Sequence, residues 1–251
     1  MDMRKTCLMV LAVMFVLVFV GSCCGPCKKA AQGDEKIKVV VVTGGHDFEH
    51  DPFFAVFQGC KDIEYREFQL KDQSEIFEDI SNWNYDVIVL YSMTQNISPK
   101  RQANFIKLLN DGVGLLALHH TMCSFQDWPE YRKIIGTAYY LKPAEGRPAS
   151  SYKHDEVMAV KIADKKHPIT HGMGDFEIHD EAYKDCGFER DNRVLLTTDH
   201  PTSDKTIGWV RKYGKARVCT IQLGHGPEAY ANPNYRELVA RGIRWCAGRL
   251  N

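Results

Sequence analysis

The chain has 251 residues, and its 32 Lys and Arg side chains balance 32 Asp and Glu side chains, so the formal net charge is zero. The sequence carries no basic stripe or polybasic run, which argues against a nucleic-acid partner. Five cysteines lie beyond residue 36 and are scattered singly. That spacing is typical of neither a disulfide framework nor a zinc cluster.

The N-terminus is predicted to lie outside the folded domain. Arg4 and Lys5 precede an apolar run, and small residues then precede Cys23, as in a secretory signal. The pattern also resembles the bacterial lipoprotein signal, which would lipidate Cys23; a cleaved, unlipidated export signal is the alternative. We expect an exported protein, in the periplasm or at the cell surface, that touches the membrane only through this lipid. Its predicted parts are a signal peptide at 1–22, a flexible tether at 23–36 and an α/β domain at 37–251.

Strands and helices alternate about every 25 residues through the first half of the domain. The runs at 37–43 and 114–118 are continuous and apolar, as in parallel strands buried on both faces. Asp51 is predicted to cap a helix that Pro52 opens, and a second helix begins at Ser98. Further strands are expected at 63–68 and 85–90. The pattern predicts an α/β fold of the flavodoxin-like type: a doubly wound, mostly parallel sheet with helices on both faces.

The second half of the domain is less regular. The closing helix is predicted to be capped by Asn232, because an Asn-Pro pair precedes its apolar positions. Earlier elements of this half are expected as a helix at 127–135 and strands at 157–163, 176–183, 194–198, 206–210 and 217–223.

Histidines follow two of the predicted parallel strands. His119 and His120 end the strand at 114–118, and His46 and His50 lie in the glycine-containing loop after the first strand. Ligands of open α/β sheets bind at the carboxyl ends of strands, so these four side chains are expected to share one cleft. Alternation along an extended backbone predicts that only one of His119 and His120 faces it. The acids of the first loop would repel an anion, and they suit a metal or a polyhydroxylated ligand better.

Several long segments are similar to the trehalose-utilisation ThuA-like family. They are VVVVTGGHDFEH, GLLALHHT, HPITHGMGDFEIHDEAY, GWVRKYGKARV and LGHGPEAYANPNYRELVARGIRWCAG, which together span about 37–248. The resemblance implies a variant of the class I glutamine amidotransferase-like fold. Thr121 and Ala216 depart from the pattern, where alanine and glycine are usual, and neither is one of the histidines.

The same comparison indicates that glutaminase chemistry is absent. The amidotransferases carry a cysteine nucleophile on the turn after the central strand and a His-x-Glu pair after a late strand. Here that turn offers His119 and His120, Cys123 lies too far along, and Glu228 is displaced by one residue from the position expected after His225. Imidazole is a poor substitute for a thiolate that forms an acyl-enzyme.

Two interpretations of the histidine- and acid-rich cleft remain open. In one, a divalent metal (Zn, Mn, Co or Ni) is bound, with His46, His120 and His225 as the first candidates for ligands. In the other, the same side chains act as general acids and bases, with His120 and His225 as the first pair and His119 and Glu181 beside them. The expected substrate-binding residues are His46, Asp47, His50, Trp128, His179, Asp180, Glu228 and Tyr230.

The family resemblance implies work on carbohydrates, commonly beside enzymes that make 3-keto-glycosides. A 3-keto group acidifies the neighbouring C–H bond, so a base and an acid could cleave the glycoside by elimination. The hypothesis is a lyase, hydratase or isomerase for a keto-sugar or keto-glycoside. The rival hypothesis is a non-catalytic, surface-tethered sugar-binding protein that depends on aromatic side chains such as Tyr183, Tyr230 and Trp128. The sequence predicts no oligomeric state.

Overall fold

The computed structural model describes residues 35–71 and 74–251. The predicted signal peptide, the lipidation site at Cys23 and the tether up to residue 34 lie outside these residues. No helix within the described ranges is long and apolar enough to cross a bilayer.

The described residues form strands and helices at most of the predicted positions. The strands are β1 (Ile37–Gly44), β2 (Ile63–Gln69), β3 (Val87–Ser92), β4 (Gly114–Leu118), β5 (Thr137–Ala138), β6 (Ser151–Ile162), β7 (Phe176–Lys184), β8 (Gly187–Phe188), β9 (Arg193–Thr197), β10 (Thr206–Tyr213) and β11 (Ala216–Ile221). The α-helices are α1 (His50–Phe54), α2 (Pro99–Asp111), α3 (Pro129–Ile135), α4 (Pro227–Ala231) and α5 (Pro233–Cys246). Two short 3-10 helices cover Glu75–Phe77 and His119–Cys123.

Nine of the strands form one mixed sheet in the order β2-β1-β3-β4-β11-β10-β9-β6-β7, and β5 pairs with β8 separately. The first five strands in this order pair in parallel, and every later pair is antiparallel. The prediction of a mostly parallel sheet is therefore wrong for half of the pairings. The physical reason is that a parallel pair needs a crossover, usually helical, and no described α-helix lies between β6 and β11. The doubly wound connection stays a prediction.

Helices cover both faces of the parallel half. Val39 and Val41 of β1 belong to one buried cluster with side chains of α1 and α5, whereas Val40 and Val42 belong to another with side chains of α2 and α3. Successive residues of a strand point to opposite faces, so the two clusters lie on opposite sides of the sheet. Each fully buried valine stabilises the fold by about 1.5–3 kcal/mol relative to exposure.

Capping explains where the longer helices begin. Ser98 accepts the backbone N–H of Arg101 at the start of α2, and Asn232 accepts two N–H groups at the start of α5, both as predicted. In α1 the N-cap is Glu49 without a side-chain cap bond, so the predicted capping role of Asp51 is wrong. Asp51 lies inside the first turn, where its charge still favours the helix dipole.

The β6–β7 hairpin reaches over the parallel strands and is called the β6–β7 arm below. β7 stands five places from β4 in the sheet order, which is about 24 Å on a flat sheet. Glu181 of β7 nevertheless lies 2.9 Å from His119, which follows β4. The arm must therefore curve back. Its ladder breaks between Lys153 and Glu156, where Asp155 has a φ of 58°, and such bulges bend strands.

Candidate active site

The backbone turns sharply where β4 ends. Leu118 is still extended, but His119 has a φ of 46°, in the left-handed region that residues other than glycine rarely adopt. Because the chain leaves the strand at His119, the two histidines do not alternate across a sheet. Both are buried, and their rings meet edge to face with centroids 5.6 Å apart. The prediction that only one of them faces the site is wrong.

A cluster of His119, Glu181 and His225 lies at the centre of the site. His119 Nε2 is 2.9 Å from Glu181 Oε2 and 3.1 Å from His225 Nδ1, and the last two atoms are 3.2 Å apart. His119 Nδ1 lies 2.6 Å from the Gln222 carbonyl oxygen, which can only accept, so Nδ1 carries a proton. Nε2 of a neutral His119 then presents a lone pair to a carboxylate, and the Tyr183 hydroxyl lies 3.0 Å from it. Such a group of acceptors requires a shared proton or a metal ion.

Asp180 positions the loop that carries His225. Its buried carboxylate accepts the backbone N–H of Gly224 at 2.7 Å and that of His225 at 2.8 Å. Gly224 has a φ of 110°, and a Cβ there would come within 2.2 Å of the Tyr235 hydroxyl. Burial raises the pKa of Asp180, although these hydrogen bonds and the neighbouring His119 oppose the rise. Asp180 is thus placed as a structural support of the site rather than as a group that faces the cleft.

Two tyrosines support the same loop from inside the protein. The Tyr91 hydroxyl donates to the Gly224 carbonyl oxygen and the Tyr230 hydroxyl is placed to donate to that of His225, both at 2.8 Å. The two hydroxyl oxygens lie 2.5 Å apart. The Tyr91 ring also packs against His120, with centroids 4.3 Å apart. Tyr230, expected to bind substrate, is fully buried in this network.

His120 is buried beneath His46. The two rings stack with centroids 4.6 Å apart, and neither nitrogen of His120 has a hydrogen-bond partner in the described structure. His46 follows Gly45, where a Cβ would meet the Met93 carbonyl oxygen at 2.2 Å, so only glycine lets the loop approach β3 this closely. Burial lowers the pKa of His120 well below its ordinary value, and the nearby His119 adds to the effect. His120 is therefore a neutral imidazole with unused hydrogen-bonding capacity.

Glu181 and His225 stabilise each other's charge. Burial alone would raise the pKa of Glu181, but hydrogen bonds with His119 and His225 outweigh it and hold that pKa well below its usual range. The pKa of His225 is raised, first by its hydrogen bond to Glu181 and against the effect of burial. The site thus contains one histidine that resists protonation and one that favours it.

The site opens into a cleft of about 260 Å³. Its polar lining consists of His46, His120, His154 and Glu181, and its remaining lining of Met93, Cys123, Tyr139, Leu141, Tyr152 and Tyr183. His154 Nδ1 lies 3.3 Å from Glu181 Oε1, and its ring packs on His225 with centroids 4.7 Å apart. Five histidine rings therefore make one continuous group: His46, His119, His120, His154 and His225.

Other predicted substrate-binding residues lie around this group or away from it. His179 and Glu228 are exposed and line a smaller cavity of about 40 Å³ beside His225. Asp47 is exposed in the loop after β1. His50 is bonded to Glu67 of β2 at 2.9 Å, so its ring is engaged away from the histidine group.

Trp128 lies in the core instead of the cleft. It is buried in the cluster on the α2 and α3 face, where its ring stacks near Tyr131 and tilts against Phe105. Its position at the N-terminus of α3 explains this, because the helix packs its first turn onto the sheet. The predicted binding role of Trp128 is not supported by this placement.

Sequence reasoning did not place His154, the Gln222 carbonyl group or the Tyr183 hydroxyl in contact with the central cluster. One signal was present: Glu181 and Tyr183 are two apart on a strand, a spacing that puts both side chains on one face. No sequence signal marks a backbone carbonyl as the partner of His119. His154 looked like one member of a charged surface run, because the curvature of the β6–β7 arm is not visible in the sequence.

The comparisons with known proteins agree with the fold and the motifs. The profile of the ThuA family, described as "Trehalose utilisation", matches residues 38–246. The chain belongs to the ThuA family. This membership indicates a carbohydrate-related role. No curated protein matches the chain significantly.

Solved structures show the same architecture. A ThuA-like protein from Parabacteroides merdae superposes with a TM-score of 0.74 at 20% identity, covering 86% of this chain and 92% of that one. A ThuA-like protein from Bacteroides uniformis gives 0.65 at 18% identity, with 87% and 94% covered. A GMP synthase protein from Thermoplasma acidophilum gives 0.52 at 13% identity, with 85% and 96% covered. The ThuA-family chain thus has a mixed α/β fold with neighbours of the glutamine amidotransferase type.

The turn after β4 differs from a nucleophile-bearing turn in its chemistry. His119 takes the strained position directly after the strand, and Cys123 lies at the end of the following 3-10 helix. Cys123 is buried, and burial raises the pKa of its thiol well above the usual value. A buried thiol of this kind is a weak nucleophile.

Proposed function

We propose that this ThuA-family protein acts on a keto-sugar or keto-glycoside as a lyase, hydratase or isomerase. His120 acts as the general base and His225 as the general acid. The observation that carries the proposal is the contrast between these two histidines. Burial keeps His120 neutral, whereas Glu181 raises the pKa of His225. Two titratable groups whose environments move their pKa values apart are suited to opposite roles in proton transfer.

In an elimination, His120 takes the proton from the carbon beside the ketone. The electron pair of that C–H bond forms a C=C bond, the glycosidic C–O bond breaks, and the leaving oxygen takes a proton from His225. Glu181 stabilises the imidazolium of His225 before this transfer. Each positioned acid or base contributes about 10²–10⁴-fold to the rate of such a step.

A divalent metal is a second candidate for the centre of the site. The donor atoms of His119, Glu181 and His225 all lie within 4.8 Å of one another, and their separations of 2.9–3.2 Å are close to those of neighbouring ligands around one ion. Metal–ligand bonds of about 2.0–2.2 Å place adjacent donors about 3 Å apart. This set differs from the predicted His46, His120 and His225, since only His225 is common to both. Bound Zn, Mn, Co or Ni would polarise the ketone and stabilise an enolate.

Turnover of a 3-keto-glycoside by the purified chain tests the proposed reaction. We expect His120→Ala and His225→Ala each to lower kcat by at least about 10²-fold, as loss of an acid or base does. His171→Ala is the control, because His171 is exposed in the turn after β6. Unchanged turnover in both site variants would refute the assignment of the acid and the base.

Elemental analysis of the chain, purified without a metal-affinity tag, separates the two candidates for the centre. A stoichiometric transition metal that Glu181→Gln removes would make His225 a ligand, and the acid would then be another group. A metal-free protein with full turnover would support proton sharing within the cluster.

The rival hypothesis of a non-catalytic sugar-binding protein is less well supported. Two of the three aromatic residues on which it depends, Trp128 and Tyr230, are buried in packing or hydrogen-bond networks. A binding protein would retain sugar affinity in His120→Ala, whereas the proposed enzyme would retain binding and lose turnover. The small carbohydrate ligand and the N-terminal lipid anchor belong to the same proposal.

A further inference from the structure

Large apolar side chains are exposed beside the cleft. In the part of the chain that the structure describes, the exposed large hydrophobic residues are Leu141 at 41%, Tyr152 at 60% and Val157 at 55%. Single exposed apolar residues are common and need no explanation. Leu141 and Tyr152, however, both line the cavity that contains the catalytic candidates, and Val157 does not.

The cleft is consequently divided into a polar part and an apolar part. Histidines and Glu181 occupy one part, and Leu141, Tyr152, Tyr139 and Met93 contribute to the other. Ligand sites that recognise only a hydrophilic sugar need many convergent polar groups, whereas apolar lining favours an apolar portion of the ligand. The two parts together match a molecule with one polar end and one apolar end.

The Tyr152 ring is held against the catalytic cluster. It packs edge to face on His154 with centroids 5.1 Å apart, and His154 in turn contacts Glu181 and His225. Tyr152 also lies opposite Tyr183 in the register of the β6–β7 arm. An aromatic group placed on Tyr152 would therefore be attached close to a sugar lying over the histidines.

We propose that the cleft takes glycosides whose aglycone is a planar aromatic group, with the ring seated on Tyr152 and Leu141. The cavity of about 260 Å³ lies at the small end of the range of about 300–1,000 Å³ that is usual for small-molecule sites. That size suits one sugar with one aromatic ring and does not suit an oligosaccharide. The substrate class rests on the proposed keto-glycoside chemistry, whereas the recognition of the aryl group does not.

The test compares two probes with the purified chain, 4-nitrophenyl and methyl 3-keto-β-glucosides. The wild-type protein is expected to show a higher kcat/KM for the aryl glycoside, through a lower KM. Tyr152→Ala and Leu141→Ala are expected to reduce that preference roughly tenfold, the size of a lost aromatic or apolar contact, while turnover of the methyl glycoside stays unchanged. Val157→Ala is the matched control, because Val157 is equally exposed and lies outside the cleft.

The outcomes separate this inference from the proposed function. Equal turnover of both glycosides, unaffected by Tyr152→Ala, would overturn the aryl site and leave the enzyme proposal standing. If neither probe is turned over, the enzyme proposal fails for these substrates, and calorimetric binding of unoxidised 4-nitrophenyl and methyl glucosides decides the inference alone. Aryl-selective binding that Tyr152→Ala weakens supports it, and binding without aryl preference or no binding refutes it.

Discussion

At the scale of single residues, the site depends on a few groups whose ionisation is set by burial and by one another. The sequence predicted the chemistry-bearing side chains His119, His120, Glu181 and His225, because histidines and acids at strand ends are visible in the printed chain. It did not predict the supporting contacts. The Gln222 carbonyl group that orients His119 belongs to the backbone, and every residue has one.

Replacement of Glu181 by Gln tests the coupling inside the cluster. The raised pKa of His225 results first from its hydrogen bond to this carboxylate, so Glu181→Gln is expected to lower the pKa of His225. NMR titration of the histidine ring resonances measures the change. Glu228→Gln is the control, since Glu228 lies near His225 on the surface and is not among the causes of the shift. An unchanged pKa of His225 in the Glu181→Gln variant would show that another group holds the proton.

His167 gives the fold a dependence on acid. It is 2% exposed, accepts the N–H of Ile169 and packs on Trp245, and burial lowers its pKa to about 4. Because the unfolded chain takes up this proton near the ordinary pKa of about 6.5, stability is complete above that pH and falls as the pH drops towards 4. The shift corresponds to a loss of roughly 2–3 kcal/mol.

Urea unfolding between pH 7.5 and 4.5 measures this loss. His167→Gln is expected to flatten the decline, whereas His171→Gln, at an exposed position of the same turn, is expected to leave it unchanged. Identical pH profiles for wild type and His167→Gln would show that other groups cause the acid sensitivity.

At the scale of elements, the sequence was sufficient where local signals are strong. The apolar runs of β1, β3 and β4 and the capping residues of α2 and α5 marked those elements close to their observed limits. The strands of the antiparallel half were predicted as strands, but their order was not. Antiparallel neighbours can pair by several connections, and the curvature of the β6–β7 arm depends on a bulge at Asp155 that leaves no sequence pattern.

Gly114 shows how closely two elements pack. It begins β4, and a Cβ there would lie 2.5 Å from the carbonyl oxygen and 2.7 Å from the carbonyl carbon of Cys246 at the end of α5. Backbone atoms cannot rotate away, so Gly114→Ala is expected to cost about 1–3 kcal/mol in the free energy of unfolding. Gly174→Ala, with no atom within 4 Å of its Cβ, is the matched control. Chemical denaturation measures both, and equal stabilities would contradict the close packing of α5 on β4.

At the scale of the whole molecule, the N-terminal signal and the folded domain have separate tasks. The proposed lipid on Cys23 attaches the domain to a membrane, and the domain carries the chemistry. We expect Cys23→Ser to move the protein from the membrane fraction to the soluble fraction and to abolish incorporation of labelled fatty acid. Cys27→Ser is the control. Equal membrane attachment of both variants would refute lipidation at Cys23.

The contacts of the catalytic cluster join distant parts of the chain. His119 meets Glu181 across 62 residues and His225 across 106 residues. Contacts of this separation require the closure of long loops, so they depend on most of the sheet being in place. His225 follows β11, the last strand to be made. A chain that is only partly synthesised or partly exported therefore carries no assembled site, and proton transfer begins only when folding is nearly complete.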